Sequence, residues 1–366
     1  MAVKFRSIRN DEGRVPPEAR LPLVIEPAGD DSTAGLIRWI TENSGELAER
    51  LTSHGGLLFR GFEIDDAEKF QSVALAIDPD LSRSHPLDDL KRKWRTEFVF
   101  EALDTNVREK PISMALHHED SYLATHPTKI MFYCHVAPAM GGETQIADTR
   151  DVLRSLGEDF VARYAGRSLR SLKHFPKDTL EMNIGTNDRG KIEEICHENQ
   201  VEEFAWDADG GLNICSIVPT VVVHPETGEP TWFNRMKNAN PWGFVLERFY
   251  AAPHCHNAAM RAKAYVKAMQ FGLKVFRRRY ISGDRSFLTK VLTTEDGKPI
   301  PFADQHNIVR AYWKHTAVIR WQKNDALILD NRLVAHGRMP FKGHREIFGC
   351  VTRPSGIDRF RPQRVA

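Results

Sequence analysis

Apolar positions first fall into a helical rhythm over AGLIRWITENSGELAERL, where Leu36, Ile37, Ile40, Leu47 and Leu51 recur every three to four residues or so and Gly55-Gly56 supplies a stop. Structure is expected to begin at Ser32 or Thr33. The stretch before it, residues 1–31, is rich in Pro, Gly and charge (RVPPEARLPLVIEPAGDD) and reads as an extended arm lying over the body. LLFRGF has strand composition, and Asp65-Asp66 caps a second helix running to about Ile77. The rhythm then changes. IMFYCHV is β-branched and aromatic, Pro138 to Gly142 makes a turn, and ETQIAD resumes a strand pattern before a helix expected over Thr149 to Gly166. Further strands are expected at 213–223, 231–234, 316–321, 326–329 and 346–351, interrupted by a helical excursion over 253–279.

Many short strands with helices inserted rather than alternating predict an α+β chain with a mainly β core, a jelly roll or β-sandwich carrying helical decoration. No linker-like break divides the sequence, so residues 32–366 are expected as one domain with a helical insert at about 240–300. Composition agrees with a globular chain, being 41% hydrophobic and 27% charged over 366 residues. The formal charge of +2 gives nucleic acid or an anionic membrane no general electrostatic hold, which favours a small-molecule partner. The amino terminus lacks the apolar stretch of a signal peptide, and no run of about 18 apolar residues occurs, so a soluble cytoplasmic protein is expected. Five scattered cysteines without a CxxC pair fit reduced thiols better than a disulfide framework or zinc ribbon.

The candidate chemistry starts at ALHHEDSY, Ala115 to Tyr122, with two histidines and two carboxylates in four consecutive positions. In an extended strand, residues two apart share a face, so His117 with Glu119, or His118 with Asp120, can grip one metal ion. Either pair alone is weak evidence. A third candidate ligand, His336, follows a short apolar pair in DNRLVAHGRMPF, and Arg345 comes nine residues later at the start of a predicted strand. Two imidazoles and one carboxylate on one face of an octahedral ion leave three positions open, the arrangement of non-haem Fe(II) oxygenases. Those positions suit 2-oxoglutarate and dioxygen, while an arginine meets the far carboxylate by paired hydrogen bonds. Structural zinc would close its shell with four ligands, usually including cysteine, and no cysteine accompanies these motifs. The His254-Cys255-His256 cluster has no partner pair at metal-site spacing, and no GxSxG elbow supports a hydrolase.

These residues resemble the taurine dioxygenase/TfdA family of Fe(II)/2-oxoglutarate dioxygenases, and within it the branch of SyrP-like amino-acid hydroxylases. The matching segments are Leu116 to Tyr122 (LHxExSY), Gly141 to Thr144 (GGET), Ile146 to Arg150 (IADxR), His224 to Asn234 (HPETGEPTWFN) and Asp330 to Arg345 (DNRLVAHGRMPFKGHR). The resemblance implies a double-stranded β-helix of the clavaminate synthase-like kind. It also settles the register: Ser121-Tyr122 aligns with the SY of the pattern, which makes His117, Glu119 and His336 the iron ligands and leaves His118 and Asp120 as neighbours. By the same carry-over, Thr144 hydrogen-bonds 2-oxoglutarate and Arg345 pairs with its distal carboxylate. Glu119 speaks against the related halogenases, which hold a small residue there. Arg235 departs from the glutamine of the pattern; it and Asn234 are candidates to meet a substrate carboxylate. The implied reaction hydroxylates an unactivated carbon of a small molecule, such as a free or carrier-tethered amino acid, with release of succinate and CO2. Desaturation, epoxidation and cyclisation start from the same cofactors, and a catalytically silent metal-binding jelly roll is the reading from another class. Oligomeric state is left open, a homo-oligomer included.

Overall fold

The computed structural model describes residues 1–83, 87, 92–103, 107–282 and 290–356. Its centre is two sheets facing each other. The larger has the order Val3–Ser7, Leu23–Pro27, Gly56–Phe59, Ala326–Asp330, Lys129–Val136, Glu346–Thr352 and Leu81–Ser82, with Phe100–Glu101 also paired to Glu346–Thr352. The smaller runs Gly13–Arg14, Thr316–Ile319, Thr144–Asp148, Val334–Arg338 and Met114–His117. Every pairing within the two sheets is antiparallel except that of Leu23–Pro27 with Gly56–Phe59.

Period-two patterning explains why the larger sheet is buried on both faces. Leu58, Ile130, Leu327, Leu329, Ile347 and Val351 point inward to meet Ile146, Ala317, Ile319 and Val334 of the smaller sheet. Their sequence neighbours Leu57, Phe59, Met131, Tyr133, Ile328, Phe348 and Cys350 point outward, onto Leu36, Trp39, Ile40, Phe70 and Val73 of the helices Thr33–Glu42 and Ala67–Ile77. The outer face of the smaller sheet, with Leu116, Ala147, Val318 and Ala335, is covered by Trp232 and by the helices Thr149–Leu156 and Phe302–Lys314. This is a jelly roll with helical decoration, as expected. The helix starts are also where the caps put them, since Ser32 Oγ accepts from Gly35 N–H and Asp66 Oδ1 from Lys69 N–H.

Residues 1–31 differ from the expected arm. Val3–Ser7 and Leu23–Pro27 extend the larger sheet, and Gly13–Arg14 joins the smaller. The apolar triplet Leu23, Val24 and Ile25 is as buried as any central strand, but the Pro- and charge-rich sequence around it masked the signal. The helix expected over Thr149 to Gly166 breaks at Gly157, whose φ of 79° is open to glycine, so that Glu158–Tyr164 starts afresh. In the insert expected at about 240–300, the described residues form the helices Pro241–Ala251 and Ala258–Phe276, a π-turn to Ile281 and the strand Lys290–Thr294; residues 283–289 lie outside the described set. That strand joins a separate four-stranded sheet with Ser168–Phe175, Leu212–Pro219 and Glu203–Trp206. All five cysteines are buried and unbridged. No helix among the described residues is long and apolar enough to cross a membrane.

Candidate metal centre

His336 lies mid-sheet, on Val334–Arg338, and the neighbouring strand Met114–His117 sets His117 directly opposite it in register. The two imidazole rings stand 4.4 Å apart between centroids. Glu119 is not on the strand: the ladder ends at His117, and the chain turns through Asp120, whose φ is 54°. Asn331, fully buried, takes over the work of the ladder there. Its Oδ1 accepts from Glu119 N–H at 2.8 Å, and its Nδ2 donates to the carbonyls of Glu119 (3.0 Å) and Pro127 (2.8 Å). Glu119 Oε2 thereby comes to 3.6 Å from His117 Nε2 and 3.8 Å from His336 Nε2.

These three ligand atoms lie within 4.8 Å of one another, the one such group among the described residues. A cation bonded at about 2.1 Å can touch atoms as far apart as about 4.2 Å, and the 3.6 and 3.8 Å separations of Glu119 Oε2 from the two imidazole nitrogens fall within that reach. The tautomers suit it as well. His117 Nδ1 faces the carbonyl of Ala115 at 2.9 Å and must donate to it, which leaves the Nε2 lone pair directed at the ion site. Burial pushes the His336 imidazolium down to about 3, so the ring is neutral and available as a ligand at physiological pH. Glu119 is ionised: burial alone would raise its pKa, but the neighbouring His117 and the positive charge of Arg92 outweigh it and hold the carboxyl well below the usual range. Arg92 donates to Glu119 Oε1 at 2.6 Å and so occupies the oxygen that faces away from the histidines.

The other half of the double triplet points elsewhere. His118 is fully buried on the opposite side of the chain, its ring 4.6 Å from that of Phe233 and its Nε2 3.3 Å from Thr149 Oγ1, with burial holding it neutral. Thr144 and Arg345, by contrast, line the same cavity as the three candidate ligands, a space of about 80 Å3 between the two sheets. Trp321 Nε1 donates to Thr144 Oγ1 at 3.0 Å, which fills an acceptor site on the hydroxyl and keeps its proton free to be donated. Phe132, Ile130 and Ile347 wall the cavity from the larger sheet, and Arg92, Phe100, Ala102, Leu103 and Met114 form another part of its rim. Asn234 and Arg235 are not among the lining residues. The Asn234 amide is spent on the carbonyl of Thr220 and the N–H of Met236, while the Arg235 guanidinium lies 4.9 Å from the centre of the Tyr122 ring.

The chain belongs to the taurine catabolism dioxygenase TauD, TfdA family, whose model matches residues 21–351. Among its relatives is the dapdiamide synthesis protein DdaC of Enterobacter agglomerans, 28% identical over 84% of this chain and 85% of that one. A clavaminate synthase-like protein of Arabidopsis thaliana is 24% identical over 92% of each. Solved structures of like fold include PvcB of Pseudomonas aeruginosa (TM-score 0.54, 17% identity, 98% of this chain and 96% of that one). A taurine dioxygenase of Burkholderia xenovorans is similar at TM-score 0.52, 14% identity and 96% of each chain.

Several family motifs turn out to be ties of the scaffold. Arg150 of IADTR is 1% exposed and is shared between Asp148 and Glu229, the latter from HPETGEP, while His224 of that same segment meets Asp330 at 3.0 Å. Sequence reasoning missed Arg92, Trp321 and Asn331. Asn331 stands within the quoted DNRLVAHGR segment, and its place beside a ligand motif was the available signal; Arg92 and Trp321 carried none.

Proposed function

We propose that this TauD-family chain is an Fe(II)- and 2-oxoglutarate-dependent oxygenase that hydroxylates an unactivated carbon of a small biosynthetic molecule, a free or carrier-bound amino acid being the leading class. The carrying observation is the meeting of His117, Glu119 and His336 in one cavity with Thr144 and Arg345. Two imidazoles and one carboxylate match a ferrous ion that must keep open positions. With 2-oxoglutarate and dioxygen, such an ion supplies the oxidising power for C–H cleavage, and succinate and CO2 are released.

The protein's share is orientation and exclusion. Arg345, 3% exposed, presents a guanidinium suited to a carboxylate fork, and Thr144 offers the proton that Trp321 leaves free. Arg92 holds Glu119 Oε1, which would leave Oε2, the oxygen nearer the two imidazoles, to hold the ion. Phe100, Leu103 and Met114 give the substrate an apolar wall. The amino-acid class and the narrower SyrP-like assignment rest on the sequence motifs. The biosynthetic setting has support in the printed name of DdaC, a synthesis protein.

A screen of amino acids and related acids, free and as thioesters, tests the reading by coupled succinate release and a 16-unit mass gain in the product. Before that, anaerobic addition of Fe(II) and 2-oxoglutarate should give a visible metal-to-ligand absorption. Its absence would overturn the cofactor assignment.

A further inference from the structure

Behind the cavity, Lys237 and Glu247 form an ion pair whose side chains are only 2% and 1% exposed. Lys237 belongs to the short turn Met236–Asn238 and Glu247 to the helix Pro241–Ala251. Both reach the backbone of one residue in the first ligand strand: Lys237 Nζ donates to the Leu116 carbonyl, and Leu116 N–H donates to Glu247 Oε1 at 3.2 Å. Glu247 Oε2 accepts from Trp313 Nε1 at 2.6 Å, and the ammonium lies 5.0 Å from the centre of the Tyr312 ring.

Among the described residues, Met114–His117 is the last strand of its sheet and pairs only with Val334–Arg338. In an antiparallel pair, alternate residues turn their N–H and C=O toward the neighbour. His117 does so, opposite His336, which leaves the polar groups of Leu116 facing outward into apolar packing, where its own side chain is fully buried. Left unmatched there, each would cost about 1–3 kcal/mol. One acceptor and one donor of opposite charge satisfy both groups and neutralise each other. Leu116 also lies between the two residues that aim the ligand, since the His117 ring is tied through Nδ1 to the Ala115 carbonyl.

We propose that Lys237 and Glu247 are positioning residues: their ion pair stands in for a missing edge strand, fixes the backbone at Leu116 and so directs His117 Nε2 at the metal. This rests on the metal reading above and extends it to residues outside the cavity. Stability alone is a poor reason for the pair, because well-packed apolar replacements of buried ion pairs are often neutral or stabilising.

The experiment measures Mn(II) affinity of the metal-free full-length protein by electron paramagnetic resonance, beside thermal melting. The double variant Lys237→Met/Glu247→Leu is compared with Arg60→Met/Asp325→Leu, which removes an equally buried pair, 4% and 1% exposed, outside the cavity lining. Loss of outer-sphere support typically weakens metal binding about 10–100-fold. The expected result is a loss of at least about tenfold at 237/247 and less than about twofold at 60/325, whatever each does to melting. Glu247→Gln keeps an oxygen for Leu116 N–H; it should retain much of the affinity, and it remains informative if the double variant fails to fold. Parent-like Mn(II) binding in the folded 237/247 double variant overturns the proposal. So does a loss of similar size in both double variants, and parent protein that takes no Mn(II) overturns the metal reading and the clasp with it.

Discussion

His118 and His336 offer the most discriminating perturbation, because both are buried histidines beside the same carboxylate segment and only one faces the ion site. In His118→Ala, a ring packed on Phe233 at 4.6 Å is deleted from a fully buried position. Truncations of large buried side chains cost about 2–5 kcal/mol. At roughly 2–4 °C per kcal/mol for large domains, melting should fall by roughly 4–20 °C. Metal affinity should stay within about threefold, since nothing in the Asn331 clamp or the His117–His336 register depends on that ring. His336→Ala should do the reverse. Its Nδ1 has no hydrogen-bond partner among the described residues and its ring borders the cavity, so the metal-free protein loses less stability. Deleting a ligand must cost more than deleting an outer-sphere partner, hence more than about 100-fold in affinity. Melting curves of the metal-free proteins and Mn(II) titrations give both axes. Equal loss of metal in the two variants would refute the register, and a metal loss confined to His118→Ala would hand the ligand role to the other half of the double triplet.

The other expectations concern the co-substrate and pH. Arg345→Ala should raise the KM for 2-oxoglutarate roughly 10- to 1000-fold, the equivalent of one or two charge-assisted hydrogen bonds, as read from succinate release; an unchanged KM would move the anchor to Arg338, whose guanidinium already serves the carbonyls of Ile112 and Met339. Trp321→Phe deletes the N–H that orients Thr144 and should raise the same KM about fivefold, corresponding to about 1 kcal/mol, with little change in metal affinity. Burial and the charge of Arg14 hold the His254 imidazolium down to about 4, below its value of about 6.5 when unfolded. The unfolded chain therefore binds more protons between these values, and stability should fall as pH drops from about 6.5 to about 4. Denaturant midpoints across that range should depend less on pH in His254→Asn, and an identical slope would refute the assignment.

Much of this architecture is legible in local sequence, and the exceptions have physical causes. Lys129 to Val136 and Glu346 to Thr352 announce themselves because each alternates between two buried faces. Residue type and spacing offer His117 with Glu119 and His118 with Asp120 alike, and the family resemblance selects the first pair with His336; strand alternation is an incomplete argument, because Glu119 reaches His117's side through a turn, not along a strand. The residues that went unseen act at long range. Trp321 reaches back 177 positions to Thr144, Asn331 reaches 212 to Glu119, and Lys237 reaches 121 to Leu116. Side chains of these types look ordinary in sequence, since only tertiary packing tells them which backbone group to serve. Asn234 shows the converse: its place in a motif suggests a substrate contact, whereas the fold engages its amide with Thr220 and Met236.

The three candidate ligands show a graded answer to a single hydrogen-bonding problem. His336 sits on a strand paired on both sides, with Ile146 and His117 as its neighbours, so the ladder alone holds its backbone. His117 has a ladder on one side only, and a buried ion pair supplies the missing partners one residue away. Glu119 has left the sheet altogether, and the Asn331 side chain answers its N–H and C=O in place of any strand. Polar side chains are thus recruited in proportion to the regular structure that is missing, because every backbone group in this dry interior must be matched. A metal site at a sheet edge needs such substitutes, because a residue whose strand is paired on one side only, or has already ended, lacks the ladder that would hold its backbone in place.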